Sequence, residues 1–66
     1  MTYFELGEKL QKIEKSMGIY LFDPCVDAEN VGPNPSDFDL YDSAFCAAAD
    51  RANELGLDIY KLLENA

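Results

Sequence analysis

The stretch Ser36-Asp37-Phe38-Asp39-Leu40-Tyr41-Asp42-Ser43-Ala44-Phe45-Cys46-Ala47-Ala48-Ala49-Asp50-Arg51-Ala52-Asn53-Glu54-Leu55-Gly56 carries the signals for a helix start, a helix body and a helix stop in one run. Ser36-x-x-Asp39 is a capping pair, in which the serine hydroxyl and the later carboxylate each take up a free backbone amide. Asp37 adds negative charge beside the positive end of the helix dipole. Tyr41, Ala44, Phe45, Ala48, Ala52 and Leu55 recur at helical spacing, and Ala47, Ala48 and Ala49 are small enough to let a second helix approach closely. Gly56 then supplies a stop. The pattern predicts a helix from Ser36 to about Leu55.

The same signals occur on both sides of it. Thr2-x-x-Glu5 opens an amphipathic stripe of Leu6, Leu10, Ile13 and Met17, which Gly18 closes. Glu5 to Lys9 and Glu8 to Lys12 are i,i+4 pairs of the favourable polarity. After Gly56, the positions Leu57, Tyr60 and Leu63, widened by Ile59 and Leu62, predict a short third helix folding back as a hairpin. The expected fold is therefore mainly α, a compact three-helix arrangement of two longer helices plus a short C-terminal helix, as a single domain over 1–66. Its core is expected to comprise Leu6, Leu10, Ile13, Met17, Phe45, Ala48, Ala52, Leu55, Leu57, Tyr60 and Leu63.

Between the first two helices, Ile19-Tyr20-Leu21-Phe22 is too short for periodicity to separate a strand from a turn. From Asp23 to Ser36 the chain holds Pro24, Pro33, Pro35, Gly32, Asn30 and Asn34, a long acidic connection with room for one helical turn. A loop of this length in so small a domain is either a spacer or a binding element, and its acids Asp23, Asp27 and Glu29 favour the second.

Thirteen acids oppose five bases, for a formal charge of -8. Such a field repels nucleic acid phosphates and anionic membranes, so direct binding to either is disfavoured. The bases Lys9, Lys12, Lys15, Arg51 and Lys61 leave the interval from Ser16 to Asp50 without one. Asp23, Asp27, Glu29, Asp37, Asp39, Asp42 and Asp50 fall in that interval with no counter-charge nearby in sequence, and are expected to face water, a metal or a cationic partner. No apolar run approaches the ~20 residues of a membrane span, and the N-terminus lacks a targeting pattern, which together predict a soluble, cytoplasmic protein.

The chain has no histidine, which removes the commonest general base and transition-metal ligand. Cys25 and Cys46 are read as reduced thiols, Cys25 in the loop and Cys46 in the core or flank of a helix. Neither has an activating neighbour, and their spacing does not suit a zinc site. Asp37-x-Asp39-x-x-Asp42 begins like a calcium loop but lacks its glycine and its closing glutamate. No catalytic residue, cofactor or metal is expected.

Asp39-Leu40-Tyr41-Asp42-Ser43-Ala44-Phe45, followed by Ala52-Asn53-Glu54-Leu55-Gly56-Leu57-Asp58, resembles the later half of the all-helical nucleotide pyrophosphohydrolases of the MazG type. The resemblance covers under half of the chain. It implies a magnesium site to which Glu5-x-x-Glu8 contributes and which a dimer completes. A helix-Leu-Gly-helix turn has a sufficient cause in capping alone, and the non-enzymatic reading is preferred.

That reading is an acidic binding protein that inhibits a nucleic-acid-handling enzyme by occupying its basic cleft, comparable in size and charge with the anti-restriction and anti-CRISPR proteins of phages. Carboxylates on successive exposed helical turns are about 6 Å apart, comparable with phosphates along a strand, and their field speeds association with a cationic groove. Asp37, Asp39, Asp42 and Asp50, with Asp23, Asp27 and Glu29 of the loop, form the candidate row, and Phe38 and Tyr41 are its apolar anchors. The alternatives are an adaptor binding through Tyr20, Phe22 or Tyr60, and the partial pyrophosphohydrolase.

Overall fold

The computed structural model describes residues 1–66, the side chain of Asn30 excepted. It is mainly helical: α1 spans Tyr3–Met17, α2 is the single turn Pro24–Asp27 continued by a 3-10 turn at Ala28–Asn30, α3 spans Asp37–Glu54 and α4 spans Ile59–Glu64. Among the described residues there is no strand.

Both long helices start as their capping residues dictate. Thr2 Oγ1 accepts from the Glu5 amide at 3.2 Å while Glu5 Oε1 accepts from the Thr2 amide at 3.3 Å. Ser36 and Asp39 repeat the exchange at 3.2 Å in each direction. Gly18 and Gly56 take left-handed conformations, φ 67° and 74°, where a side chain would be strained. At Gly56 the amides of Gly56 and Leu57 donate back to the carbonyls of Asn53 and Ala52, so α3 stops at Glu54 and α4 begins afresh behind the Asp58 cap.

The N-termini of α1 and α3 meet, with the Tyr3 amide donating to Asp37 Oδ2 at 3.3 Å. From there the helices pack along their lengths, burying Leu6, Leu10 and Ile13 of α1 with Ala44, Ala48 and Ala52 of α3. Large side chains on one helix meet alanines on the other, so the two axes come close. Because α1 and α3 start at the same end of the molecule, the chain has to travel back along the roughly 22 Å of α1 before α3 begins. The long connection is therefore a topological requirement, which neither a spacer nor a binding element is needed to explain.

The return segment is tied to both helices. Glu14 Oε2 of α1 accepts from the amides of Leu21 and Phe22 at 2.8 and 3.1 Å, and Arg51 Nη1 of α3 donates to the Leu21 carbonyl at 2.8 Å. Ile19-Tyr20-Leu21-Phe22 is thus neither strand nor helix, its polar backbone being satisfied by side chains at Leu21 and Phe22. Leu21 is fully buried. Phe22 lies over the bare Cα of Gly7, where an added Cβ would come within 3.2 Å of its ring. Gly7→Val should cost about 1–3 kcal/mol by crowding that ring, a loss that thermal unfolding followed by circular dichroism would register.

The core departs from expectation at its edges. Leu21 and Ile59 belong to it, whereas Met17, Leu55 and Tyr60 are 46%, 52% and 67% exposed. Phe45, Leu57 and Leu63 are half-buried against it. Helix α4 is one and a half turns long, and its inward side is taken by Ile59 with Leu62 and Leu63, which sends Tyr60 outward. Met17 lies in the last turn of α1, and Leu55 has left the helix at the Gly56 turn. Cys25 and Cys46 are free thiols, both exposed, with Cys25 in α2. No helix is long and apolar enough to cross a membrane.

Candidate functional site

The seven carboxylates of the base-free interval have different fates. Asp27 is 5% exposed and pairs with Arg51 through Nη2 to Oδ1 at 2.9 Å and Nη1 to Oδ2 at 3.3 Å. Its backbone carbonyl also accepts from Ser43 Oγ at 2.8 Å. The counter-charge that sequence proximity did not show comes from a base twenty-four residues away, and Asp27 is removed from any partner-facing surface. The same guanidinium lies 4.6 Å from the centroid of the Tyr20 ring. Burial alone would lower the Arg51 pKa, but the hydrogen bond and charge of Asp27, together with Tyr20 and Asp23, hold it above its ordinary value.

Asp23 caps α2, accepting from the Val26 amide at 3.3 Å and from the Tyr20 hydroxyl at 3.0 Å. The Tyr20 hydroxyl, then the Val26 amide, favour its ionised form and lower its pKa below the ordinary 3.8. A carboxylate with a depressed folded pKa adds stability above its unfolded value and loses it as pH falls through the folded one. The Tyr20 ring resonances should accordingly hold constant through the neutral range and titrate with a midpoint below that of an ordinary aspartate. An NMR titration in which they move between pH 5 and 7 would contradict this assignment.

The remaining five acids are exposed. Asp37 and Asp39 accept from the Tyr3 and Ser36 amides, and Glu29 stands on the 3-10 turn. On a helix advancing about 100° per residue, Asp39, Asp42 and Asp50 fall within one outward arc of about 80°, opposite Ala44, Ala48 and Ala52. Cys46 and Asn53, also exposed, share that arc. The carboxylates are spaced along the axis by about 4.5 Å and then about 12 Å, so the row is interrupted where Cys46 occupies the intervening turn. This is sparser than the regular 6 Å spacing that successive turns would give.

Among the described residues the one ion pair within 4.0 Å is Arg51–Asp27. The pairs Glu5–Lys9 and Glu8–Lys12 are not closed, and no base neutralises Asp39, Asp42 or Asp50. Lys12 and Lys15 project from the outer side of α1, which packs face to face with α3, so the lysines and the acid row point to opposite sides of the molecule.

The expected aromatic anchors differ from each other. Phe38 is 73% exposed, next to Asp39. Tyr41 is half-buried and stacks on Phe45, with centroids 6.0 Å apart and planes at 13°, and Phe45 in turn meets Tyr60 at 5.6 Å. Met1, Tyr41, Phe45, Tyr60, Leu63 and Glu64 line an open depression. Of the residues expected at the site, Asp37, Phe38, Asp39, Tyr41 and Asp42 share the first turns of α3. Asp50 continues the face, Glu29 belongs to the preceding turn, and Asp23 and Asp27 serve the loop.

No group of three or more His, Cys, Asp or Glu among the described residues is placed to hold a metal ion. Glu5 is committed to the Thr2 cap, so the Glu5-x-x-Glu8 pair is not joined by other carboxylates of the same chain. Glu14 and Arg51, which organise the return segment, carry no local sequence signature of that role. Searches against family models, curated proteins and solved structures find no match to this chain.

Proposed function

We propose that this protein binds a positively charged groove of a nucleic-acid-handling enzyme through the outer face of α3, and inhibits that enzyme by occupying the groove. The supporting observation is the exposed row Asp39, Asp42 and Asp50, unpaired with any base and turned away from Lys12 and Lys15 of α1. Asp37 and Glu29 extend the negative field at its N-terminal end, and Phe38 offers an apolar contact beside it. Charges of this kind set association rate and partner choice, while the aromatic side chain contributes the larger share of affinity. Small phage proteins that block restriction or CRISPR enzymes work at this size and charge, and such an enzyme is the best candidate partner. No residue of the chain is assigned a catalytic role.

The test is charge reversal. Asp39→Lys, Asp42→Lys and Asp50→Lys combined should weaken binding to the target enzyme at least a hundredfold while leaving the helical circular dichroism spectrum intact. Raising salt from 50 to 500 mM should weaken the unmodified protein by a comparable factor. Affinity indifferent to both changes would instead favour an adaptor using an apolar face. Of the three aromatics considered for that role, Tyr20 is engaged by Arg51 and Phe22 is packed on Gly7, which leaves Tyr60.

A further inference from the structure

Charge is divided unevenly between the helices. On α1, Glu5, Glu8 and Glu14 balance Lys9, Lys12 and Lys15, so the whole formal charge of -8 lies on the rest of the chain. The side of α1 turned away from Leu6, Leu10 and Ile13 carries Phe4, Glu8, Gln11 and Lys15 at i, i+4, i+7 and i+11, within an arc of about 60°. All four are exposed, Phe4 to 72%, and an apolar cleft of Tyr3, Phe4, Phe22 and Pro24 adjoins Glu8 and Gln11. Neither Glu8 nor Lys15 has an ion-pair partner among the described residues.

We infer that this face of α1 receives the same face of a second copy, the two helices lying antiparallel about a two-fold axis that passes between Gln11 and Lys12. The argument is self-complementary charge. In that register Glu8 lies opposite the partner's Lys15 and Lys15 opposite the partner's Glu8, while Phe4 reaches the far end of the partner's α1. A parallel pair would instead set Glu8 against Glu8 and Lys15 against Lys15, so the charges also select the direction. The acid row does not oppose this approach. It faces away from α1 on a helix whose axis is about 8–10 Å behind, which puts the two rows more than about 20 Å apart, beyond the ~8 Å over which salt screens exposed charges. The dimer therefore carries its two acid rows outward on opposite sides. Exposed ion pairs contribute little each, and the expected dissociation constant is on the order of 100 µM. This inference is independent of the basic-groove reading.

Sedimentation equilibrium of the full chain from about 10 µM to about 1 mM at low salt tests it. The unmodified protein should show a monomer–dimer equilibrium. Glu8→Lys and Lys15→Glu should each raise the dissociation constant at least tenfold, and the two together should bring it back to within about threefold of the unmodified value, since exchanging both ends of a two-fold contact preserves it. Glu8→Lys lowers the net charge, so simple repulsion between copies predicts tighter association for that variant and the proposed contact predicts weaker. Circular dichroism of each variant checks that α1 is retained. Asp39→Lys with Asp42→Lys should leave the dimer intact. A chain that stays monomeric throughout, a double exchange weaker than both single variants, or a dimer lost with the α3 substitutions overturns the inference and leaves the basic-groove reading standing.

Discussion

Arg51→Met should destabilise the protein by about 3–5 kcal/mol, a large share of its total stability. The guanidinium makes two contacts to a carboxylate that is 5% exposed, one to the Leu21 carbonyl, and a further one to the Tyr20 ring. Removing it leaves the Asp27 charge buried without its counter-ion and the Leu21 carbonyl without a donor, both uncompensated in a nearly dry site. A chain of this size is expected to have only about 3–10 kcal/mol of total stability, so the loss is comparable with the whole. The double variant Arg51→Met with Asp27→Leu should recover a substantial part, because it removes the stranded charge along with its partner. Urea unfolding of the two variants checks this, and equal midpoints would show that the ion pair is not what holds the return segment.

Leu10→Ala should cost about 2–5 kcal/mol, and Met17→Ala no more than about 0.5 kcal/mol, although both residues belong to one apolar stripe. Leu10 is fully enclosed between α1 and the alanine face of α3, and Ala44, Ala48 and Ala52 have no longer side chains with which to fill the space it would leave. Met17 is 46% exposed in the last turn of α1, where solvent replaces the missing atoms. Thermal unfolding of the pair measures the contrast. Similar losses at the two positions would mean that α4 covers the end of α1 more completely than the exposure of Met17 indicates.

The extent of α1 and α3 was legible in the sequence because caps, stops and stripe all act within a few residues of one another. Thr2 with Glu5, Ser36 with Asp39, Gly18 and Gly56 do in the structure what their types allow locally. The outward placement of Asp39, Asp42 and Asp50 was legible for the same reason, since helical periodicity that turns Ala44, Ala48 and Ala52 inward turns these outward. Met17, Leu55 and Tyr60 misled because periodicity says which side of a helix is apolar without saying how far a neighbour extends to cover it.

What the sequence determined by itself is the set of local instructions, namely the helix ends, their apolar sides and the acid row along α3. The tertiary structure decided which partners those sides found. Helices α1 and α3 start together, so the connection has to run back between them, and that path brings Asp27 to Arg51, Leu21 to Glu14 and Phe22 to Gly7. Contacts between residues seven to twenty-four positions apart depend on chain direction in space, and no spacing rule along the sequence encodes it.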